Sequence, residues 1–389
     1  MNEKKAVKAP KKQNFFVRLL TLLATAALVL GALLLVVYRD QLNLDALRRW
    51  MAYRDLETSP TGEAAPFTHA GGDQMSVAYL DTGILTASSA GAHYYSFTGQ
   101  QYAEQVLSLE HPVLTASRKT GVVYDAGGSS LFLYRAGSES PALTLEGGAG
   151  LLSARPNDTG WLAVTAQQSG YKGAVTVYDS FGEKVIQISL SSTFVVDAAL
   201  SPDCRTVAVA TMGQEGGAFF SRLLFFPVNR EEPSAPVDLG STVVLDLDYE
   251  QDRVWVLGED RVVSAAPDGS ESATYHLGRS YLKGCSLGGD GFALVLTSRY
   301  RMGSATQALV IDASGQAAYT LSLSGQVLDL SAAGNYCALL TGGGLTIYTS
   351  DLEPYAALEA TQGARHVALS PNGSALLANS QQAWLYIPQ

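Results

Sequence analysis

The sequence predicts an all-β chain folded as an eight-bladed β-propeller behind one N-terminal transmembrane helix. Three observations carry this: a twofold signature that returns about every forty residues, a composition suited to short strands and tight turns, and one uncharged apolar run near the start.

The repeat begins at residue 75. An apolar strand, a Gly/Asp/Asn turn and a second apolar strand recur as SVAYLDTGILTAS, PVLTASRKTGVVYDA, LLSARPNDTGWLAVTA, VVDAALSPDCRTVAVAT, TVVLDLDYEQDRVWVLG, YLKGCSLGGDGFALVLT, QVLDLSAAGNYCALLT and HVALSPNGSALLAN. Each hairpin is followed by a third strand and, except at the end, by a turn and a fourth. Aligned on its last apolar residue, the third strand falls at Tyr95, Tyr134, Tyr178, Phe226, Ala265, Ile311, Tyr348 and Tyr386, at intervals of 37 to 48 residues. A four-stranded sheet has two faces to cover and cannot bury them alone, so such units stack around an axis. Runs such as TVAVAT, FALVLT and CALLT fit strands covered on both faces, while the outer strands alternate apolar with polar residues.

The chain stops at Gln389, directly after the eighth third strand, so a strand near Pro66 to His69 is expected to complete the last blade and close the ring. Seven blades is the alternative, should the first hairpin merge with the last.

Composition agrees. With 38 Gly, 19 Tyr, 47% hydrophobic and 16% charged residues in 389, the chain supports a large core of short strands and turns. The three cysteines Cys204, Cys285 and Cys337 fall in different repeats, which argues against a disulfide framework. Cys285 and Cys337 read as small buried hydrophobes; Cys204 sits in a turn.

Residues 19–38, LLTLLATAALVLGALLLVVY, carry no charge and span about 30 Å as a helix, a bilayer's hydrocarbon thickness. Six Lys/Arg precede this run and four follow it within twenty residues, which orients the N-terminus to the cytoplasm. A cleavable signal peptide would have a shorter apolar core and a small-x-small site. The expected organisation is therefore a basic tail (1–18), a membrane helix (19–38), a juxtamembrane amphipathic helix and linker (39–65) and an extracytoplasmic propeller (66–389). In DQLNLDALRRWMAYRDLE, Leu44, Leu47 and Met51 fall at helical spacing, and Trp50 and Tyr53 suit either lipid headgroups or the propeller's underside.

Residues 60–389 carry 16 Lys/Arg against 31 Asp/Glu, and no basic run follows Arg54, which argues against nucleic acid. His69, His93, His111, His276 and His366 show no metal-ligand spacing. No nucleophile elbow or phosphate loop is present, and no cofactor is implied. Asp158, Asp203, Asp252, Asp268, Asp290 and Asp351 recur at blade spacing; turn chemistry explains them, and a ring at the channel mouth is the alternative. Trp-Asp repeats, kelch glycines and sialidase boxes are absent, and four tryptophans are too few for a quinone-dehydrogenase propeller.

The segments SPDCRTVAVAT and LSPNGSALLAN resemble turns of WD40-like and TolB-like propellers. A closer resemblance, on VVYDAGGSSLFLY (122–134), SGYKGAVTVYDSFGEKV (169–185), VVDAALSPDCRTVAVAT (195–211) and PFTHA, is to an uncharacterised family of single-pass membrane propeller proteins of Gram-positive anaerobes, a domain of unknown function. It implies fold and location and no reaction. Cys204 stands where the turn usually has Gly. Within these segments Tyr124, Asp125, Tyr171 and Lys172 are the candidate binding groups; the competing reading is a turn between second and third strands that fixes blade geometry. The function expected is a non-enzymatic binding or scaffolding platform for a protein or cell-envelope polymer. The rival is a cell-wall glycan or peptide hydrolase or lyase with its site in the funnel, which would need two carboxylates from facing blades.

Overall fold

The computed structural model describes residues 19–26, 29–30, 44–72, 74–135, 142–144, 150–250 and 252–389. The chain divides into two units, residues 1–53 and 54–389.

In the second unit, eight antiparallel four-stranded sheets follow one another, and the first hairpin forms a sheet of its own, so there are eight blades and not seven. The innermost strands are Ser76–Leu80, Pro112–Ala116, Leu151–Pro156, Phe194–Leu200, Val244–Tyr249, Tyr281–Gly289, Val327–Ala333 and His366–Leu369, in blades 1 to 8. Each lies against the next, and the first against the eighth, so the ring is closed.

Closure uses the segment expected from the sequence. Phe67–Thr68 pairs antiparallel with Gln382–Tyr386 as the outer strand of blade 8, with Phe67 opposite Ala383. The seam extends beyond that strand at both ends. The Ala64 amide donates to Leu385 O (2.8 Å), Ile387 N to Gly62 O (2.8 Å) and His69 N to Gln381 O (3.0 Å). Gly62 is required here: its φ is +87°, and a Cβ would stand 2.3 Å from Ile387 O.

The core consists of layers between neighbouring blades. Ala163, Val175, Val177 and Ile188 of blade 3 pack on Ala198, Val207, Val209 and Phe226 of blade 4. Val254 and Val256 of blade 5 meet Leu223 and Phe225 of blade 4 in the same way. Burial is deepest on the second strands, such as Gly83–Ser88, Val254–Gly258 and Phe292–Ser298, where every residue is buried. The innermost strands border the channel and stay partly open, which is why the continuous apolar runs of the sequence mark second strands and not first ones.

In the first unit, residues 19–26 and 29–30 are helical, and Leu44–Tyr53 forms a helix. Its buried residues are Arg49 and Tyr53, one turn apart, whereas Leu44, Leu47, Trp50 and Met51 are exposed. No helix of the described residues is long and apolar enough to cross a membrane. The expected basic tail and half of the expected span at 19–38 lie outside the described residues.

Candidate interaction face

Antiparallel order gives the ring two distinct faces. The upper face carries the turns between second and third strands and the connections between blades. The lower face carries the turns between first and second and between third and fourth strands. Phe67–Thr68 runs in the outer-strand direction, from lower to upper, so the chain approaches the ring on its lower side at residues 54–63.

Exposed apolar side chains gather on the upper face of four consecutive blades. Leu152, Tyr171, Phe194, Phe219, Val243, Leu245, Tyr281, Tyr300 and Met302 all lie there, in blades 3 to 6 or the connections between them. Outside this gathering, Phe181 and Val185 are exposed toward the lower face of blade 3, and Tyr102, Val106 and Tyr319 on the outer strands of blades 1 and 6.

Part of this arrangement comes from β-bulges. The innermost strands of blades 3 to 7 each slip register at their second or third residue, between Leu151 and Ser153, Val195 and Asp197, Val244 and Asp246, Leu282 and Gly284, and Val327 and Asp329. The residue left unpaired is Leu152, Val196, Leu245, Lys283 or Leu328. A bulge re-aims a side chain, and Leu245 at 53% exposure shows the effect at the upper end of the strand.

Blade 4 adds height. Its second and third strands, Thr206–Glu215 and Ala218–Pro227, are ten residues each, and the pairs Gly213–Phe220, Gln214–Phe219 and Glu215–Ala218 extend past both flanking strands. This free-standing ribbon rises about 10 Å. Phe220 lies under the Arg222 guanidinium, 4.1 Å from ring centroid to Cζ.

Just below the bulges lies a polar cluster. Arg155 Nε donates to Asp197 Oδ2 (2.8 Å), and its Nη2 reaches Asp197 Oδ2 (2.6 Å) and Asp246 Oδ1 (2.5 Å). Asp197 Oδ1 also accepts from Ser153 Oγ (2.6 Å) and the Ala198 amide (2.8 Å). Burial opposes the charge on Arg155, but the two carboxylates outweigh it and raise the guanidinium's pKa. One arginine thus staples the inner strands of blades 3, 4 and 5. Asp329 does similar work between blades 7 and 8, accepting the Val367 amide at 2.8 Å.

Farther down the blade 5 strand, burial pushes Asp248 up to about 6, eased by Arg155 and aggravated by Asp246. Burial likewise pushes Glu250 up to about 8, against the Gly291 amide that donates to it at 3.0 Å and with Asp248 adding to the rise.

The four candidates from the sequence all sit at the upper ends of blades 2 and 3. Tyr124 is buried at 2% exposure, and burial, with Asp197 next in effect, pushes its phenol up to about 12. Asp125 accepts the His111 amide at 2.6 Å, closing the connection below its turn. Tyr171 is exposed, and Lys172 is held by Ser192 O (2.9 Å) with its ammonium 5.0 Å from the Phe194 ring centroid. Tyr171 and Lys172 therefore join the exposed surface, while Tyr124 and Asp125 lie beneath it. Sequence reading passed over Phe194, Phe219, Tyr300 and Met302. The alternation RYRM at 299–302, apolar and basic in a stretch between strands, was the available signal.

A family model described as a family of unknown function, DUF5711, matches residues 61–354, well over half of the chain. The chain belongs to the DUF5711 family. No curated protein matches this DUF5711 chain. Among solved structures it is similar to the C-terminal WD40 domain of Sif2, at 11% identity and TM-score 0.57, covering 83% of this chain and 99% of that one. It is also similar to the computationally designed Ika8 protein, at 12% identity and TM-score 0.59, covering 82% and 98%. BamB from Moraxella catarrhalis matches at 12% identity and TM-score 0.50, covering 84% and 99%. At these identities the likeness extends to the β-propeller fold alone.

Proposed function

We propose that this DUF5711 protein is a membrane-tethered, extracytoplasmic binding platform that holds a protein or cell-envelope polymer on the upper face of its ring. The observation that supports this reading most is the gathering of nine exposed apolar side chains on one face of blades 3 to 6. Exposed apolar side chains concentrated on one face are a feature of interaction surfaces.

A funnel enzyme is less well supported. Asp197 and Asp246 come from neighbouring blades and share one arginine, which commits both to holding the ring together. No separate observation favours that reading.

The test is site-specific photocrosslinking in intact cells, with a benzophenone amino acid at Phe194, Leu245 or Phe181, and protease added from outside in parallel. Adducts at Phe194 and Leu245 but not at Phe181, together with shaving of the propeller, are expected. Adducts at Phe181 alone, or a protease-resistant propeller in intact cells that becomes sensitive on lysis, would refute the platform or its location.

A further inference from the structure

The upper corner of blade 6 differs in charge from the rest of the propeller. The connection and strand start at 277–283 and the connection at 299–306 together hold Arg279, Lys283, Arg299 and Arg301 and not one Asp or Glu. They do so in a propeller whose acids outnumber its bases nearly two to one.

Arg279, Arg299 and Arg301 are exposed, and none forms an ion pair among the described residues. Elsewhere on the same face Arg222 pairs with Glu215 at 3.4 Å and Arg261 with Asp260 at 2.9 Å, while Lys172 and Arg365 lack an ion pair among the described residues but stand singly and not as a group. Lys283 is spent internally. Its ammonium donates to Arg301 O at 2.8 Å and so pins the 299–306 connection to the start of the inner strand. That tethers the backbone of the stretch carrying Arg299 and Arg301.

Interleaved with the arginines are Tyr281, Tyr300 and Met302, the last two 71% and 86% exposed. Tyr300 and Met302 border an open hollow of about 310 Å³ with Ala305 and Leu323. Tyr, Met and Arg are the residue types enriched at protein–protein contacts, and Arg and Tyr are prominent among those that carry the binding energy.

Resting on the platform reading, we infer that this corner anchors an acidic segment of a protein partner, whose carboxylates pair with Arg279, Arg299 and Arg301 and whose apolar side chains cover Tyr300 and Met302. Charge complementarity selects an acidic occupant. The apolar component selects a polypeptide over a bare polyanion, because a sugar or phosphate chain would leave Met302 and the hollow uncovered.

The experiment uses the full-length protein in phosphatidylcholine nanodiscs, titrated with three defined probes: a glutamate–tyrosine copolymer, polygalacturonate and phosphatidylglycerol vesicles. The copolymer is expected to bind at least tenfold more tightly than either other probe. R299Q/R301Q and Y300S/M302S should each weaken it at least tenfold with the melting temperature unchanged, these side chains being exposed. Equal binding of polygalacturonate or vesicles, or copolymer binding indifferent to R299Q/R301Q, overturns the inference. Crosslinks at Phe194 and Leu245 in cells combined with no copolymer binding would retire the acidic partner and leave the platform standing. Absence of both would retire the two together.

Discussion

At the scale of single residues, Cys204 shows how a local rule is broken within an intact fold. It has φ +59° in the turn between the first two strands of blade 4, where blades 3 and 8 use Gly160 at +84° and Gly373 at +82°. The turn closes in the same way in all three, with amides donating back three residues: Cys204 to Ser201, Gly160 to Asn157 and Gly373 to Ser370. Left-handed backbone costs a side-chain-bearing residue about 1–2 kcal/mol, and the thiol's contacts with Asn157 Nδ2 (3.1 Å) and Thr159 Oγ1 (3.0 Å) recover part of it. Cys204→Gly should therefore stabilise the propeller by up to about 1 kcal/mol, read as a rise of about 2 °C in a thermal melt; a lower melting point would contradict this. The sequence placed Cys204 at the glycine position of the turn, but that it takes a positive φ there came only with the structure.

Glu250 gives a prediction in pH. Its folded value near 8 lies above the ordinary carboxylate range, and Asp248 near 6 does likewise, so the folded state holds their protons more tightly than the unfolded chain. The stability they contribute is full below about pH 4, declines as pH rises through 6, and is gone above about 8. Glu250→Gln should flatten that decline, with chemical denaturation at pH 5 and pH 9 showing a smaller loss than the parent protein. An unchanged slope would mean that the carboxyl ionises normally in the fold. Neither shift was legible in the sequence, where Asp248 and Glu250 read as ordinary polar positions around a turn; burial between blades arises only when the ring closes.

At the scale of elements, the closing segment and the inner-strand staple do the joining that individual blades cannot. Gly62→Ala adds a Cβ against Ile387 O at a positive φ, and should cost about 2 kcal/mol. The loss would be read as a lower denaturation midpoint, with blade 8 opening first; a neutral result would show that residues 54–64 are not part of the folded ring. Arg155→Met leaves Asp197 and Asp246 side by side without their shared cation. A loss of about 2 kcal/mol is expected, since removing the cation strands the buried Asp197 beside a half-exposed Asp246, whose charge solvent partly screens. Equilibrium unfolding measures it, and a loss below 1 kcal/mol would show the cluster to be solvated. The need for a closing strand followed from counting strands in the eighth repeat. The staple did not, because Arg155, Asp197 and Asp246 lie 42 to 91 positions apart and only the ring brings them together.

At the scale of the whole molecule, periodicity made the architecture readable: the third-strand positions Tyr95 to Tyr386 all fall at the ends of third strands in the structure. Repetition works this way because each blade solves the same packing problem, so one register error would have misplaced every later blade. The interaction face is another matter. Phe194, Phe219, Tyr281 and Tyr300 look like ordinary strand residues in sequence, and they become a surface only because bulges, a lengthened ribbon and a long connection lift them out of the layers between blades. Tyr124, chosen from sequence beside Asp125, went the other way and packed inside.

The closed ring itself rests on the seam where the N-terminal segment of the propeller joins blade 8. Hydrogen–deuterium exchange of the full-length protein measures this directly at the seam formed by residues 62–69 and 382–387. Amides of Ala64, His69 and Ile387 should exchange as slowly as those of the second strands, such as Leu377, and open only with global unfolding. Exchange of residues 62–69 at the rate of unstructured chain, with the edge of Gln382–Tyr386 equally fast, would mean that the ring is not closed by its N-terminal segment.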